Sequence, residues 1–323
     1  MKRVLLLMAS MLVFCQLEAQ TIYYVSQGGT ADGSSWAKAL GDLHKALEKA
    51  RPGDEIWVSR GTYHTSGEND RTRSFVIPPG VGLFGGFAGS ETSREQRDVK
   101  KNTTHLSGEI GTASFLDNAY TVVYFQNAGE ETTLDGFFIL GGAADGQDKN
   151  RLLEFKGGGI FNLATNGQSS SPNIRNCTIT RNYAREGAGI FNLAREQGDC
   201  SPRIANCAFI KNKADLDGGA IMNVSIDGHC SPRITKCHFE ANVATYGGAI
   251  FNEPHGGSVK PTISSNIFKN NKAFVNNGSI HNEYSGEGSC QPVMEHNYFE
   301  GNTASVGQEK NSPPEEKPHG FKR

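Results

Sequence analysis

The chain is short of several things, and each shortage closes off a class of protein. It has almost no net charge: 32 basic side chains oppose 34 acidic ones, leaving −2 over 323 residues. That rules out a strong electrostatic footprint for nucleic acid. Beyond the first twenty residues it has no apolar run long enough to cross a membrane as a helix. Its cysteines lack CxxC spacing, which makes zinc the weakest reading of them. Its loops lack the GGxGxD nonapeptide that binds Ca²⁺ in β-rolls. Most of its length is also poor in helix formers, which argues against a helical repeat.

What is present is repetition. Gly157 opens GGGIFN, Gly187 GAGIFN, Gly218 GGAIMN and Gly247 GGAIFN, and Asn277 opens the worn copy NGSIHN. The central isoleucines, Ile160, Ile190, Ile221, Ile250 and Ile280, are 30, 31, 29 and 30 residues apart. In phase with them, Pro172, Pro202, Pro232, Pro261 and Pro292 each precede a short apolar run, and these runs end in Asn182, Asn212, Asn242, Asn271 and Asn302. Such a period is the mark of a solenoid, in which each repeat buries its apolar face against its neighbours. The runs are rich in Ile, Phe, Cys and Thr and are punctuated by Gly, Pro and Asn. About thirty residues suit one coil of a parallel β-helix, with strands stacked roughly 4.8 Å apart. The asparagines should then form ladders, amide to amide, at left-handed turns.

GGAI paired with FxxN (FIKN at Phe209, FEAN at Phe239, FKNN at Phe268, FEGN at Phe299) resembles the repeat of chlamydial polymorphic outer membrane proteins. The wider arrangement resembles secreted bacterial right-handed parallel β-helix proteins of the pectate-lyase-like superfamily. The resemblance implies an all-β, right-handed parallel β-helix. It does not select an activity, because such folds serve lyases, hydrolases, adhesins and inert stalks.

From the start of the chain, Lys2 and Arg3, the apolar stretch Val4 to Phe14, and Leu17-Glu18-Ala19 predict a signal peptide over 1–19. Phe14 before Cys15 favours plain secretion over a lipoprotein. Residues 20–302 are assigned to the β-helix, with irregular coils before the regular array of 157–302, and 303–323 to a disordered tail. The spacing of Leu40, Leu43, Leu47 and Ala50 predicts one helix over 40–51, stopped by Pro52-Gly53 and capping the first coil. Nothing beyond Asn302 reads as the membrane barrel of the chlamydial proteins or as a sorting domain. The expected location is secreted, periplasmic or on the outer cell surface.

Three features are candidates for function. Cys177, Cys207 and Cys237 share one repeat position and predict a buried thiol ladder. Cys200, Cys230 and Cys290 share another, with Lys260 in the intervening slot, and Cys200 could pair with Cys230. The second feature is the slot after the repeated isoleucine: Phe161, Phe191, Met222, Phe251 and His281. With Ile and Asn placed inward, this slot points outward. It predicts an exposed stripe about 19 Å long that would bind a glycan or a partner surface, unless a neighbouring loop covers it. The third is two stacks of loops. After IFN come Glu196, Asp199, Asp227, His229, Glu253, His255, Glu283 and Glu287; after FxxN come Arg185, Glu186, Asp215, Asp217 and Tyr246. With Asp145 and Asp148, Asp217 and Arg185 form the candidate catalytic set for acid–base work on a polysaccharide. No cofactor is implied; Ca²⁺ is admitted by the acidic loops but by no motif.

Three functions follow. The first is a non-catalytic, adhesin-like binding module for a glycan or cell-surface protein, the second a polysaccharide lyase or glycoside hydrolase, the third a spacer. An uncovered last coil near Asn302 also predicts a partner or self-association there.

Overall fold

The computed structural model describes residues 20–67, 69–112, 114–148, 150–284 and 288–306. The segment read as a signal peptide, residues 307–323 of the tail, and Glu287 lie outside them. The chain winds as an all-β, right-handed parallel β-helix. Four sheets of nine, eight, seven and six strands run along the solenoid, with a short three-stranded sheet beside them. All pairings between strands are parallel, and equivalent repeat residues face each other: Ile160, Ile190, Ile221, Ile250 and Ile280 stand in register in the seven-stranded sheet.

Three columns fill the core. Ile174, Ile204, Ile234 and Ile263 come from the nine-stranded sheet. Phe209, Phe239 and Phe268 come from the eight-stranded sheet, with ring centroids 4.8 and 4.6 Å apart. The isoleucines of GGAI complete it, and all three columns belong to one buried cluster. The six-stranded sheet buries alanines instead, and Ala144, Ala184, Ala214 and Ala244 belong to a small cluster of their own.

The corners carry the ladders. Asn182, Asn212, Asn242, Asn271 and Asn302 follow one another, each side-chain amide of a coil donating to the Oδ1 of the next at 2.9–3.1 Å. A second ladder runs Asn162, Asn192, Asn223, Asn252 and Asn282. The left-handed residue is not the ladder asparagine, as expected, but the one before it. Arg181, Lys211 and Ala241 have φ of 53–54°. Such a turn is unfavourable for residues with a Cβ, and the hydrogen bonds of the following asparagine hold it.

The thiol ladder is present and takes the same part. Cys177, Cys207 and Cys237 are buried, and the S–H of each has two backbone carbonyls in reach, one of its own coil at 3.2–3.4 Å and one of the preceding coil at 3.6–3.7 Å. Asn266 and Asn297 continue the column, donating to Ile234 and Ile263 carbonyls at 3.0 and 2.8 Å. All six cysteines among the described residues are free thiols, Cys200 and Cys230 included. The slot between Cys230 and Cys290 is filled by Val259 rather than Lys260, because that coil is one residue shorter.

The capping helix, α1, is shorter than the pattern predicted: it spans Leu43–Lys49. Leu40 is taken into bridges with Val25 and Thr30 instead, and Asp42 caps the helix by accepting from the His44 N–H at 2.9 Å. Leu43, Ala46 and Leu47 are buried against the first coils, so α1 closes the N-terminal end of the core.

Candidate functional site

The stripe after the repeated isoleucine points out of the coil, as its parity requires, but it is not exposed. Phe161, Phe191, Met222 and Phe251 are only 1, 0, 1 and 4% accessible. With Leu163, Leu193 and Val224 they form a second apolar cluster outside the coil wall, covered by Tyr124, Leu152, Leu153 and Tyr246. The reason is local. Leu152–Glu154 makes a single 3-10 turn whose Leu152 and Leu153 pack against the cluster, as does Tyr246 just ahead of Gly247. His281, at the worn end, stays partly accessible; its ring stacks on Phe251 at 4.9 Å. Burial lowers its pKa, partly offset by Glu283, so it is neutral at neutral pH. An exposed aromatic face for a glycan is therefore absent at these five residues.

What covers the stripe holds more chemistry than the stripe. Gly157, Gly187, Gly218 and Gly247 all have φ between 57 and 67°. A Cβ there would lie 2.3–2.9 Å from backbone or neighbouring side-chain atoms, so glycine is required. The residue before each is thereby held at one corner: Lys156, Glu186, Asp217 and Tyr246 are bridged in that order from coil to coil. Lys156 pairs with Glu186 and lies 4.6 Å from the Phe191 ring centroid. The Tyr246 ring is 5.6 Å from His281.

Asp217 is the perturbed member of the column. Burial first, then repulsion from Glu186 and Glu253, pushes its carboxyl up to about 7, against the pull of Lys156. Its Oδ1 is buried without a hydrogen-bond partner among the described residues. A carboxyl that holds a proton near neutrality can give that proton up.

The other three catalytic candidates are not brought to it. Asp145 pairs with Arg71 at 2.5 Å, and Arg71 also donates to the Ala143 and Asn118 carbonyls, so this aspartate closes a loop. Asp148 is exposed, accepts from the Asn150 N–H at 3.0 Å and lies 3.7 Å from Arg151. Arg185 is partly exposed on the six-stranded sheet, where its N–H donates to the Phe155 carbonyl. The groups acting on Asp217 are Glu186, Glu253, Lys156 and Glu283. Sequence reading passed over Lys156 altogether. Its signal was its place: it precedes the repeat glycine, one step ahead of Glu186, Asp217 and Tyr246. For Ca²⁺, no group of three or more acidic, His or Cys side chains among the described residues is arranged to hold a metal.

Along the same face lies an open cleft of about 720 Å³. Tyr124, Leu152 and the edge of Phe161 give it an apolar side; Ser74, Glu154 and Arg195 give it polar groups. Such a mix of a flat apolar wall with a few hydrogen-bonding groups suits a small polar ligand with one apolar face.

No family profile matches the chain, and no curated protein does. Among solved structures, a pectin methylesterase from Aspergillus niger is 15% identical, with a TM-score of 0.42, over 93% of this chain and 94% of that one. The pectate lyase Pel9A is 14% identical, with a TM-score of 0.40, over 84% and 80%. A rhamnogalacturonan lyase is 11% identical, with a TM-score of 0.37, over 83% and 87%. No helix among the described residues is long and apolar enough to cross a membrane.

Proposed function

We propose that this is a secreted or cell-surface β-helix protein that binds a glycan in the cleft beside the covered stripe. One observation carries the reading: the 720 Å³ cleft is open and combines the apolar wall of Tyr124 and Leu152 with Glu154 and Arg195. A pyranose ring has the same two characters, an apolar face and a rim of hydroxyls. The adhesin-like role expected of the stripe moves to this neighbouring cleft.

A second reading, cleavage of the bound chain by acid–base catalysis, is favoured by Asp217. Its carboxyl titrates at about 7 on the same outer face, with Glu186 as the second carboxyl.

The test is a glycan panel on the purified chain. Binding is read on an array, and cleavage by new reducing ends and by ultraviolet absorbance of unsaturated products. Binding that weakens on Arg195→Ala supports the first reading. Cleavage that is lost on Asp217→Asn while binding persists supports the second. If no glycan is retained or cut, both readings fail.

A further inference from the structure

At the corner ahead of the repeat glycines, an amine and two carboxyls are stacked. Lys156, Glu186 and Asp217 are register partners on successive coils, which sets their backbones roughly 4.8 Å apart along the column. The left-handed glycines Gly157, Gly187 and Gly218 follow them and hold the backbone at that corner.

The Lys156 Nζ donates to the Glu186 Oε2, from a residue 30 positions earlier in the chain. Both side chains are only 17% exposed. The Phe191 and Phe155 ring centroids lie 4.6 and 5.3 Å from the same nitrogen. The pair is therefore in direct contact and largely out of water. Asp217 stands on the next coil. Its Oδ1 is buried without a partner among the described residues, and Glu186 and Lys156 both act on its charge. Lys269 and Glu300 offer the comparison. They too are register partners on successive coils, 3.2 Å apart, but 38 and 49% exposed, so water reaches both.

We infer that Lys156 and Glu186 close into an amide, a covalent bond between two successive coils. The Lys156 nitrogen attacks the Glu186 Cδ, an N–C bond forms and one C–O bond breaks. Counted from ammonium and carboxylate, the nitrogen gives up two protons and the departing oxygen leaves with both as water. No oxidant or further reactant is needed. Between free molecules in water this condensation runs backward. Here the contact supplies the effective concentration of an intramolecular reaction. Burial makes both charges costly, and the amide removes them. Asp217 carries the protons: it gives one to the departing oxygen and takes one from the nitrogen. Its carboxyl, pushed up to about 7 chiefly by burial, is suited to both steps at neutral pH. A chain closed at Glu186 cannot use that carboxyl to cleave a glycan, so one molecule does one or the other.

The test is mass spectrometry of tryptic peptides from the purified full chain, sampled over time after purification. A branched peptide is expected, residues 152–175 uncleaved after Lys156 and joined to residues 186–195, lighter than the two together by one water. Lys156→Arg keeps the positive charge and should abolish it. Asp217→Asn should slow its appearance at least about tenfold, the scale of a lost acid–base group. Lys269 and Glu300 should remain in linear peptides. A folded chain that yields only the linear peptide ending at Lys156 would overturn the inference. So would equal rates with and without Asp217, or the same loss of water between Lys269 and Glu300, which would mark it as dehydration during handling.

Discussion

At the residue scale the informative group is Asp217, because its chemistry comes from its position rather than its type. The unfolded chain titrates it at 3.8 and the folded chain at about 7. The folded state therefore holds the proton more tightly. Below pH 3.8 both states are protonated and nothing is lost; between there and 7 the fold is progressively penalised, and above 7 the penalty is complete. Its size is on the order of a few kcal/mol. Asp217→Asn should raise the melting temperature at pH 8 by several degrees and leave it nearly unchanged at pH 4. Melting curves for the two proteins that run parallel across that range would mean that Asp217 is an ordinary surface carboxylate.

At the element scale the ladders decide which substitutions matter. Asn242 accepts from both Asn212 donors and gives its own to Asn271 and to the Phe209 carbonyl at 2.9 Å. Asn242→Ala orphans buried groups on both sides, at about 1–3 kcal/mol each, so a total of ~3 kcal/mol or more is expected. Asn302→Ala removes the same side chain from the last described coil and should cost less, since it orphans only groups of the coil before it, the two Asn271 donors and the Phe268 carbonyl. Urea titration measures both; equal costs would contradict a directional ladder. The cysteine column stands at the same repeat position as Asn266 and Asn297, with each sulfur 3.6–3.7 Å from the equivalent carbonyl of the preceding coil.

At the scale of the whole molecule the N-terminal end of the solenoid is the one to examine. A solenoid is stabilised by nearest-neighbour contacts, so its ends carry the exposed core and the unpaired strands. The N-terminal end is closed by Leu43, Ala46 and Leu47 of α1, all buried. Leu47→Asp would set a carboxylate against the first coils. It should give dye-detectable exposed apolar surface and aggregation, which light scattering would register; an unchanged monomer would show that the coil stands without its cap.

The repeat period, the coil and the inward face were all legible in the chain. Ile, Phe and Asn recur at one position every 29–31 residues, and only stacking satisfies so regular a column. Parity along a strand also told correctly that the Phe161 slot leaves the core. What parity cannot tell is what lies beyond the wall. Whether an outward residue meets water depends on where a turn such as Leu152–Glu154 comes to rest, and that turn has no period of its own. For the same reason, Asp145 and Asp217 looked alike as acidic residues in loops. One met Arg71, from 74 residues earlier in the chain, and became a structural ion pair. The other was set beside Glu186 and Glu253 by coil stacking, and its proton became part of the chemistry of the site. Composition and spacing determined the solenoid, since they act coil by coil; the character of each carboxyl was decided by neighbours that only the wound chain brings together.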